Sequence, residues 1–247
     1  MLSIVCPVYN EADNIQRLLD QVRDKLSVPL ELIIVYDFED DTTVPVVRAN
    51  LDRYPFPIHL VKNRLGTGVL NAIKTGFLEA NGVAILVVMA DLSDDLSAVD
   101  EMYHLVTQRG VDIVCGSRYM RGGQQKGGPL IKRTLSRIAG VSLHVLAGLP
   151  THDITNSFKV YRREFVAETK LESDGGFEIG MELVVKAFLG GRTIVEIPTI
   201  WSDRTAGQSR FRLWKWIPKY LRWYLHCLGV VWMRRLSAVR LGRLLAP

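Results

Sequence analysis

The sequence predicts an α/β fold, a doubly wound and mostly parallel sheet that ends in a basic amphipathic helical tail. Three observations predict it. Short apolar runs alternate with helical patterns at spacings that suit right-handed crossovers. The run Val83 to Met89 is so densely aliphatic that it reads as a central parallel strand. Every charged side chain after Asp203 is Lys or Arg.

In chain order, Leu2 to Val8 is a short strand closed around Pro7, and after Tyr9-Asn10-Glu11 a helix turns Ile15, Leu18, Leu19, Val22 and Leu26 inward. Leu30 to Val35 is a second strand, and Tyr36 to Thr43 forms an acidic loop at its carboxyl end, with Thr42 or Thr43 placed to cap the next helix. Ile58 to Val61 is a third strand. The loop Asn63 to Gly68 follows, its glycines permitting close backbone approach to a ligand, and then a helix over Val69 to Glu79. After the strand Val83 to Met89, Asp94-Asp95 start a helix that runs through Val106, and Val111 to Cys115 is the fifth strand. Gly122, Gly123, Gly127, Gly128 and Pro129 predict a mobile loop, and Lys132, Arg133, Ser136 and Arg137 lie on the helix behind it. A polar loop from Thr151 runs into a strand near Tyr161, Phe177 to Leu189 is helical, and Ile194 to Ile200 is the final strand.

With 247 residues, 48% of them hydrophobic, the chain can bury a full core, expected over 1–210 with a tail over 211–247. The net charge of +5 favours anionic partners. Cys6, Cys115 and Cys227 are far apart, the pattern of buried thiols in a reducing cytoplasm, and the early first strand leaves no room for a signal peptide. In the tail, Trp214, Ile217, Leu221, Tyr224 and Leu228 recur at helical spacing beside Lys215, Lys219 and Arg222. Such a face either docks on the sheet or lies on an anionic membrane surface. The acid-free continuation through Arg234, Arg235, Arg240 and Arg243 favours the membrane, with the chain peripheral on its inner face. The apolar run Leu225 to Met233 contains His226 and falls short of the roughly 18 residues of a spanning helix. No base-reading motif accompanies the charge, so no nucleic acid is expected. Nothing in the pattern sets an oligomeric state.

Ligands of open α/β sheets sit at the carboxyl ends of the strands. Asp37 and Asp41 stand at such an end and suit a nucleobase and a ribose, although a solvated loop with helix-dipole acids reads the same way. Asp91 is a carboxylate at the end of a very apolar strand, costly there unless it is paired or binds a metal, and a hard oxygen ligand suits Mg²⁺ or Mn²⁺ beside a diphosphate. Arg118, Lys132, Arg133, Arg204 and Arg210 flank loops and offer forks or point charges for phosphate. His152 beside Asp153 reads as a solvated loop histidine as readily as an acid/base pair.

Taken together, these segments resemble the family 2 glycosyltransferases of GT-A fold, and within them the dolichyl- or polyprenyl-phosphate sugar synthases. The resemblance covers about the first 210 residues. It is carried by Pro7-Val8-Tyr9-Asn10-Glu11, Val35-Tyr36-Asp37 through Asp41-Thr42-Thr43, Arg64-Leu65-Gly66-Thr67-Gly68, Ala90-Asp91-Leu92-Ser93, and Gly116-Ser117-Arg118-Tyr119. Asp153 to Phe158, Glu182 and Arg204-Thr205-Ala206-Gly207-Gln208-Ser209-Arg210 complete it.

The resemblance implies that Pro7, Tyr9, Glu11, Asp37, Asp41, Arg64, Gly66 and Ala90 hold a nucleotide-diphosphate sugar, and that Asp91 meets the Mg²⁺ or Mn²⁺ that bridges its diphosphate. It implies that Arg118, Arg133 and Ser136 receive the phosphate of a polyprenyl acceptor, with Arg204 and Arg210 serving the phosphates as catalytic cations. The implied reaction is inverting sugar transfer at a membrane surface. The chain departs from the pattern: Met89 stands where the first acid of Asp-x-Asp is expected, Tyr36 replaces an acid, Asn156-Ser157 replaces Ser-Gly, and Arg210 replaces Lys. A soluble transferase with a non-lipid acceptor and a non-catalytic nucleotide-sugar-binding module are the alternatives.

Overall fold

The computed structural model describes residues 1–203 and 213–244. Arg204 and Arg210, two of the expected phosphate cations, lie outside the described residues. The first half runs β1 (Leu2–Pro7), α1 (Ala12–Lys25), β2 (Leu30–Tyr36), α2 (Thr43–Arg48), β3 (Ile58–Lys62), α3 (Val69–Glu79), β4 (Ala84–Val87), α4 (Val99–Arg109) and β5 (Ile113–Ser117). The second half runs β6 (Gln124–Lys126), α5 (Leu130–Ala147), β7 (Lys159–Arg162), α6 (Arg163–Glu168), α7 (Ile179–Leu189), β8 (Ile194–Pro198), β9 (Ile200–Ser202) and α8 (Leu213–Leu244).

The main sheet has the order β3-β2-β1-β4-β7-β5-β8. Every pairing in it is parallel except those of β7, which runs antiparallel to both β4 and β5. The chain leaves β1 towards β2 and β3 and returns on its other side as β4, which creates a topological switch point between β1 and β4. The Val88 N–H donates to the Val5 carbonyl at 3.0 Å, so the two strand ends leave the sheet side by side. Crevices of this kind take ligands, and Tyr9, Glu11 and Asp91 all lie just beyond these ends.

Strand alternation divides the core into two layers. Leu2, Ile4 and Cys6 of β1, Leu32 and Ile34 of β2, and Leu86 of β4 meet α1, α2 and α4 on one face. Val5, Ile33, Ile85 and Val87 point the other way, to α3, α5, α7 and α8. The three thiols are all free and buried.

Several expected bounds shift. The central strand is Ala84–Val87 rather than Val83 to Met89, because the chain beyond it turns away to carry Asp91. The helix expected from Asp94 opens as a 3-10 turn over Leu96–Ala98, capped by the Asp95 side chain, before α4 begins. The final strand breaks at Thr199 into β8 and β9, and β9 pairs with β6 in a separate two-stranded sheet. The glycine-rich stretch expected to be a loop contains β6. Neither threonine caps α2 through its side chain. Thr43 Oγ1 accepts the Glu11 N–H at 2.9 Å instead, tying the first loop to the second.

The tail helix differs most from its expected orientation. Its docked stripe is Trp223, Cys227 and Val231, one turn apart and buried in the second core layer. Trp214 and Leu221, expected on the same apolar face as Tyr224 and Leu228, are exposed. Two of the basic side chains cap other helices: Arg234 donates to the Leu189 carbonyl at the end of α7, and Arg235 to Leu146 and Ala147 at the end of α5. No helix among the described residues is long and apolar enough to cross a membrane.

Candidate functional site

One side of the crevice is built from three loops stitched by carboxylates. Asn10, at φ 55 in the left-handed region, turns the chain after β1. The Asn10 N–H donates to Asp41 Oδ2 at 3.0 Å, the Thr43 N–H donates to Asp41 Oδ1 at 2.8 Å, and the Thr42 N–H donates to Asn10 Oδ1 at 3.1 Å. Asp41 is fully buried. Its expected contact with a ribose or base is corrected: the carboxylate faces inward and braces the first loop against the second.

Asp37 is half-buried and joins the second loop to the third. It accepts from Asn63 Nδ2 at 2.8 Å and from the Gly68 N–H at 2.8 Å, while Gly66 and Gly68 both hold φ near +105, a conformation only glycine adopts without strain. A carboxylate has about four acceptor positions, so Asp37 keeps capacity towards the crevice. Tyr9 is exposed and stands edge-on to Phe38, centroids 5.1 Å apart. Pro7 and Ala90 are buried, Glu11 is half-buried and accepts from Asn14, and Arg64 and Gly66 lie on the surface of the third loop.

At the switch point Asp91 is half-buried, its Oδ1 accepting the Ser93 N–H at 3.1 Å across a turn that places Leu92 at φ 61. Met89 packs against the second core layer. Sequence reasoning used Asp94 only as a helix start; the structure buries it to 6% exposure. Burial first, and then the Asp91 charge, push the Asp94 carboxyl up to about 7, with Arg118 and Lys159 pulling the other way. The only earlier signal was a second acid just beyond Asp91. Among the described residues no group of three or more His, Cys, Asp or Glu could hold a metal. A divalent ion at Asp91 would therefore depend on ligand oxygens and waters, which suits Mg²⁺ or Mn²⁺.

The second centre lies at the end of β5. Arg118 Nε donates to Asp153 Oδ2 at 2.6 Å and Arg118 Nη2 to Asp153 Oδ1 at 2.9 Å. Burial works against the Arg118 charge, and Asp153 outweighs it. The same Nη2 reaches Ser136 Oγ at 3.0 Å, and Ser136 bonds Thr155 and Tyr119. Arg118 and Ser136, predicted to act together, are thus joined. Arg133 meets this cluster only through its carbonyl, which accepts the Tyr119 hydroxyl at 3.5 Å; its side chain is exposed and lines an apolar groove of about 610 Å³ with Arg137, Ile138, Val141, Val145 and Leu146. Arg118 is accordingly an internal anchor, whereas the cations open to solvent here are Arg133 and Arg137.

Asp153 was expected as part of a motif or as the partner of His152, and its grip on Arg118 was missed. The neighbouring His152 pairs instead with Glu196. Asn156, the departure from Ser-Gly, donates through Nδ2 to the Gly116 carbonyl at 2.9 Å and so fixes the end of β5. Glu182 is buried, accepts the Ser173 N–H at 2.8 Å and pairs with Lys186, which makes it a brace for the loop before α7.

A model of the family described as "Glycosyl transferase family 2" matches residues 3–169. A dolichol-phosphate mannosyltransferase of Pyrococcus furiosus is 27% identical over 226 residues, 90% of this chain and 62% of that protein. The chain thus spans less than two thirds of that relative's length. A polyprenol monophosphomannose synthase of Mycolicibacterium smegmatis is 27% identical over 213 residues, 84% of this chain and 79% of that protein. Among solved structures, glucosyl-3-phosphoglycerate synthase of Mycobacterium tuberculosis with Mn²⁺, UDP and glucosyl-3-phosphoglycerate superposes with a TM-score of 0.66 at 16% identity, covering 93% of this chain and 80% of that one. Its complex with Mg²⁺ and UDP gives 0.62 at 16% identity, covering 93% and 79%. The likeness extends to the fold, the GT-A arrangement of a mostly parallel sheet between helices.

Proposed function

We propose, from the premise that the chain belongs to glycosyl transferase family 2, that it transfers a sugar with inversion from a nucleoside-diphosphate donor to a polyprenyl phosphate at a membrane surface. One observation carries the choice of acceptor. Ser136, bonded to the anchored Arg118, and Arg133, at the mouth of an apolar groove, both lie on α5. Cations beside an apolar groove suit a ligand with a phosphate head and a hydrocarbon tail. The names of the Pyrococcus and Mycolicibacterium relatives support the same class.

In this reading the donor lies in the crevice between β1 and β4, its base beside Tyr9 and Asp37. Asp91 would hold Mg²⁺ or Mn²⁺, which when bound stabilises the negative charge on the leaving diphosphate. The acceptor phosphate is already anionic at neutral pH, so the attack needs no strong general base. What the chain supplies is position: Arg133 and Arg137 draw in the head group, Ser136, held by the buried Arg118, orients it, and the loop braces Asp37, Asp41 and Asn63 keep the crevice in shape. The protein would work as a peripheral one, on the inner face of the membrane.

The test is a transfer assay with UDP- and GDP-sugars, with and without a short polyprenyl phosphate and Mn²⁺, the product's anomeric configuration read by NMR. Lipid-linked product of inverted configuration is expected. Product only on a water-soluble phosphorylated acceptor would favour a soluble transferase. Donor binding without product in every combination would favour a binding module.

A further inference from the structure

The pair of acids expected at the switch point is incomplete in this chain. Met89 occupies the place of the first, and its thioether, packed on the second core layer, is a soft ligand ill suited to Mg²⁺ or Mn²⁺. Three residues beyond Asp91, Asp94 presents a carboxylate that the fold has not satisfied. It is 6% exposed, and its Oδ1 has no hydrogen-bond partner. Native structures seldom leave such an atom unpaired, and an ion is one of the few things that explain it.

The backbone that carries Asp94 is held in place. It forms an antiparallel bridge with Trp201, the Asp95 N–H donates to the Ile200 carbonyl at 3.1 Å, and the Ser202 N–H donates to the Ser93 carbonyl at 2.9 Å. The segment is thus pinned to β9 on both sides of the acid. Asp91 and Asp94 lie on one tight turn: Leu92 is left-handed at φ 61, and the Ser93 N–H donates to Asp91 Oδ1 at 3.1 Å. Two carboxylates on one turn, one of them buried, relieve their repulsion either by keeping a proton on one or by holding a cation between them.

We propose that Asp94 supplies the second carboxylate of the divalent-cation site at Asp91, filling the role that Met89 leaves open. The inference rests on reading the crevice as a metal-assisted nucleotide-sugar site. Two carboxylate oxygens leave most of a six-coordinate shell to water and diphosphate, so the ion binds weakly alone and tightly with nucleotide.

The experiment titrates MnCl₂ into the full chain with UDP or GDP present and follows the EPR signal of free Mn²⁺. Asp94→Asn is expected to weaken Mn²⁺ uptake at least about tenfold, and the double variant Met89→Asp/Asp94→Asn to restore it towards the parent's. Thermal melts without metal accompany the titration, since removing an unsatisfied acid should leave the metal-free melting temperature equal or higher. Asp94→Ser repeats the measurement should the amide misfold the turn. Parental Mn²⁺ uptake in Asp94→Asn, alongside its loss in Asp91→Asn, would overturn the proposal and leave the reading of the site intact. No uptake by the parent with either nucleotide would overturn both.

Discussion

Asp153 holds Arg118 along one whole edge: its Oδ2 accepts both the Arg118 backbone N–H at 3.0 Å and Nε at 2.6 Å, and its Oδ1 accepts Nη2 at 2.9 Å. Both side chains are buried, so little salt screening reaches the pair. Asp153→Asn keeps the shape and strands the guanidinium charge, at a cost of about 3–5 kcal/mol. Thermal melts should show that loss. Arg118 would also release Ser136, and transfer should fall by about a hundredfold, the usual cost of misplacing a reacting group, while donor affinity stays unchanged. An equal fall in donor affinity would place this pair on the donor side instead.

At the opposite end of the sheet, Glu31 makes the fold sensitive to acid. Its burial would raise the carboxyl, but bonds from Ser3 Oγ at 2.6 Å and the Asn81 N–H at 2.8 Å, with the charge of His59, hold it below the ordinary value. The folded state therefore keeps fewer protons on Glu31 than the unfolded chain does. Its contribution is present above the unfolded value of 4.5 and is lost as pH falls through the lower folded one. Glu31→Gln should cost about 1–3 kcal/mol at pH 7 and flatten the acid limb of a stability-against-pH curve. A limb as steep as the parent's would remove Glu31 from the explanation.

Gly140 sets how closely α5 approaches the Asp153 loop. A Cβ there would stand 2.1 Å from the His152 carbonyl oxygen, a backbone atom that cannot rotate aside. Gly140→Ala should push α5 off the loop, destabilise by about 1–3 kcal/mol, and separate Ser136 from Arg118. Transfer should fall more steeply with acceptor dilution than with donor dilution, a split visible in the two KM values.

The parts of the fold written in local patterns were legible in the sequence. β1, β2, β3 and the helices between them announce themselves as apolar runs and helical periods, and the loops at their ends carry the residues proposed to hold the donor. Relationships that depend on distant pairing were not legible. The antiparallel direction of β7 is set by its neighbours β4 and β5, not by its own four residues. Asp41 looks the same in sequence whether it faces a ligand or, as here, two backbone N–H groups. Asp94 reads as a helix start because acids favour that position, and only the bridge to Trp201 shows it to be buried. In α8, aromatic and aliphatic residues occur on more than one face, so periodicity alone could not choose which stripe docks.

That choice matters for how membrane association is tested. The docked stripe of α8 leaves a second one outside: Trp214, Leu221, Leu225, Trp232 and Leu236 alternate by seven and four residues and are all exposed. The adjoining helix α5, bonded to α8 through Ser142 and Tyr224 at 2.9 Å, exposes Ile131, Leu135, Ile138 and Val145. In the proposed peripheral arrangement, this exposed apolar surface on a basic face is the part that would meet anionic lipid. Cutting the chain after Arg210 would remove Trp223, Cys227 and Val231 from the core, so lost flotation could not be told from unfolding. Substituting exposed residues avoids this. Leu225→Ser with Trp232→Ser should leave the melting temperature within a degree or two, since neither side chain is docked. Each buried large apolar side chain contributes about 1.5–3 kcal/mol, so the pair should lower partition into anionic vesicles by about a hundredfold or more. Vesicles of neutral lipid should bind the parent less, because Lys215 and Arg222 then lack a counter-charge. Undiminished flotation of the double variant would remove this face from the membrane-binding surface and leave the basic residues alone to account for attachment.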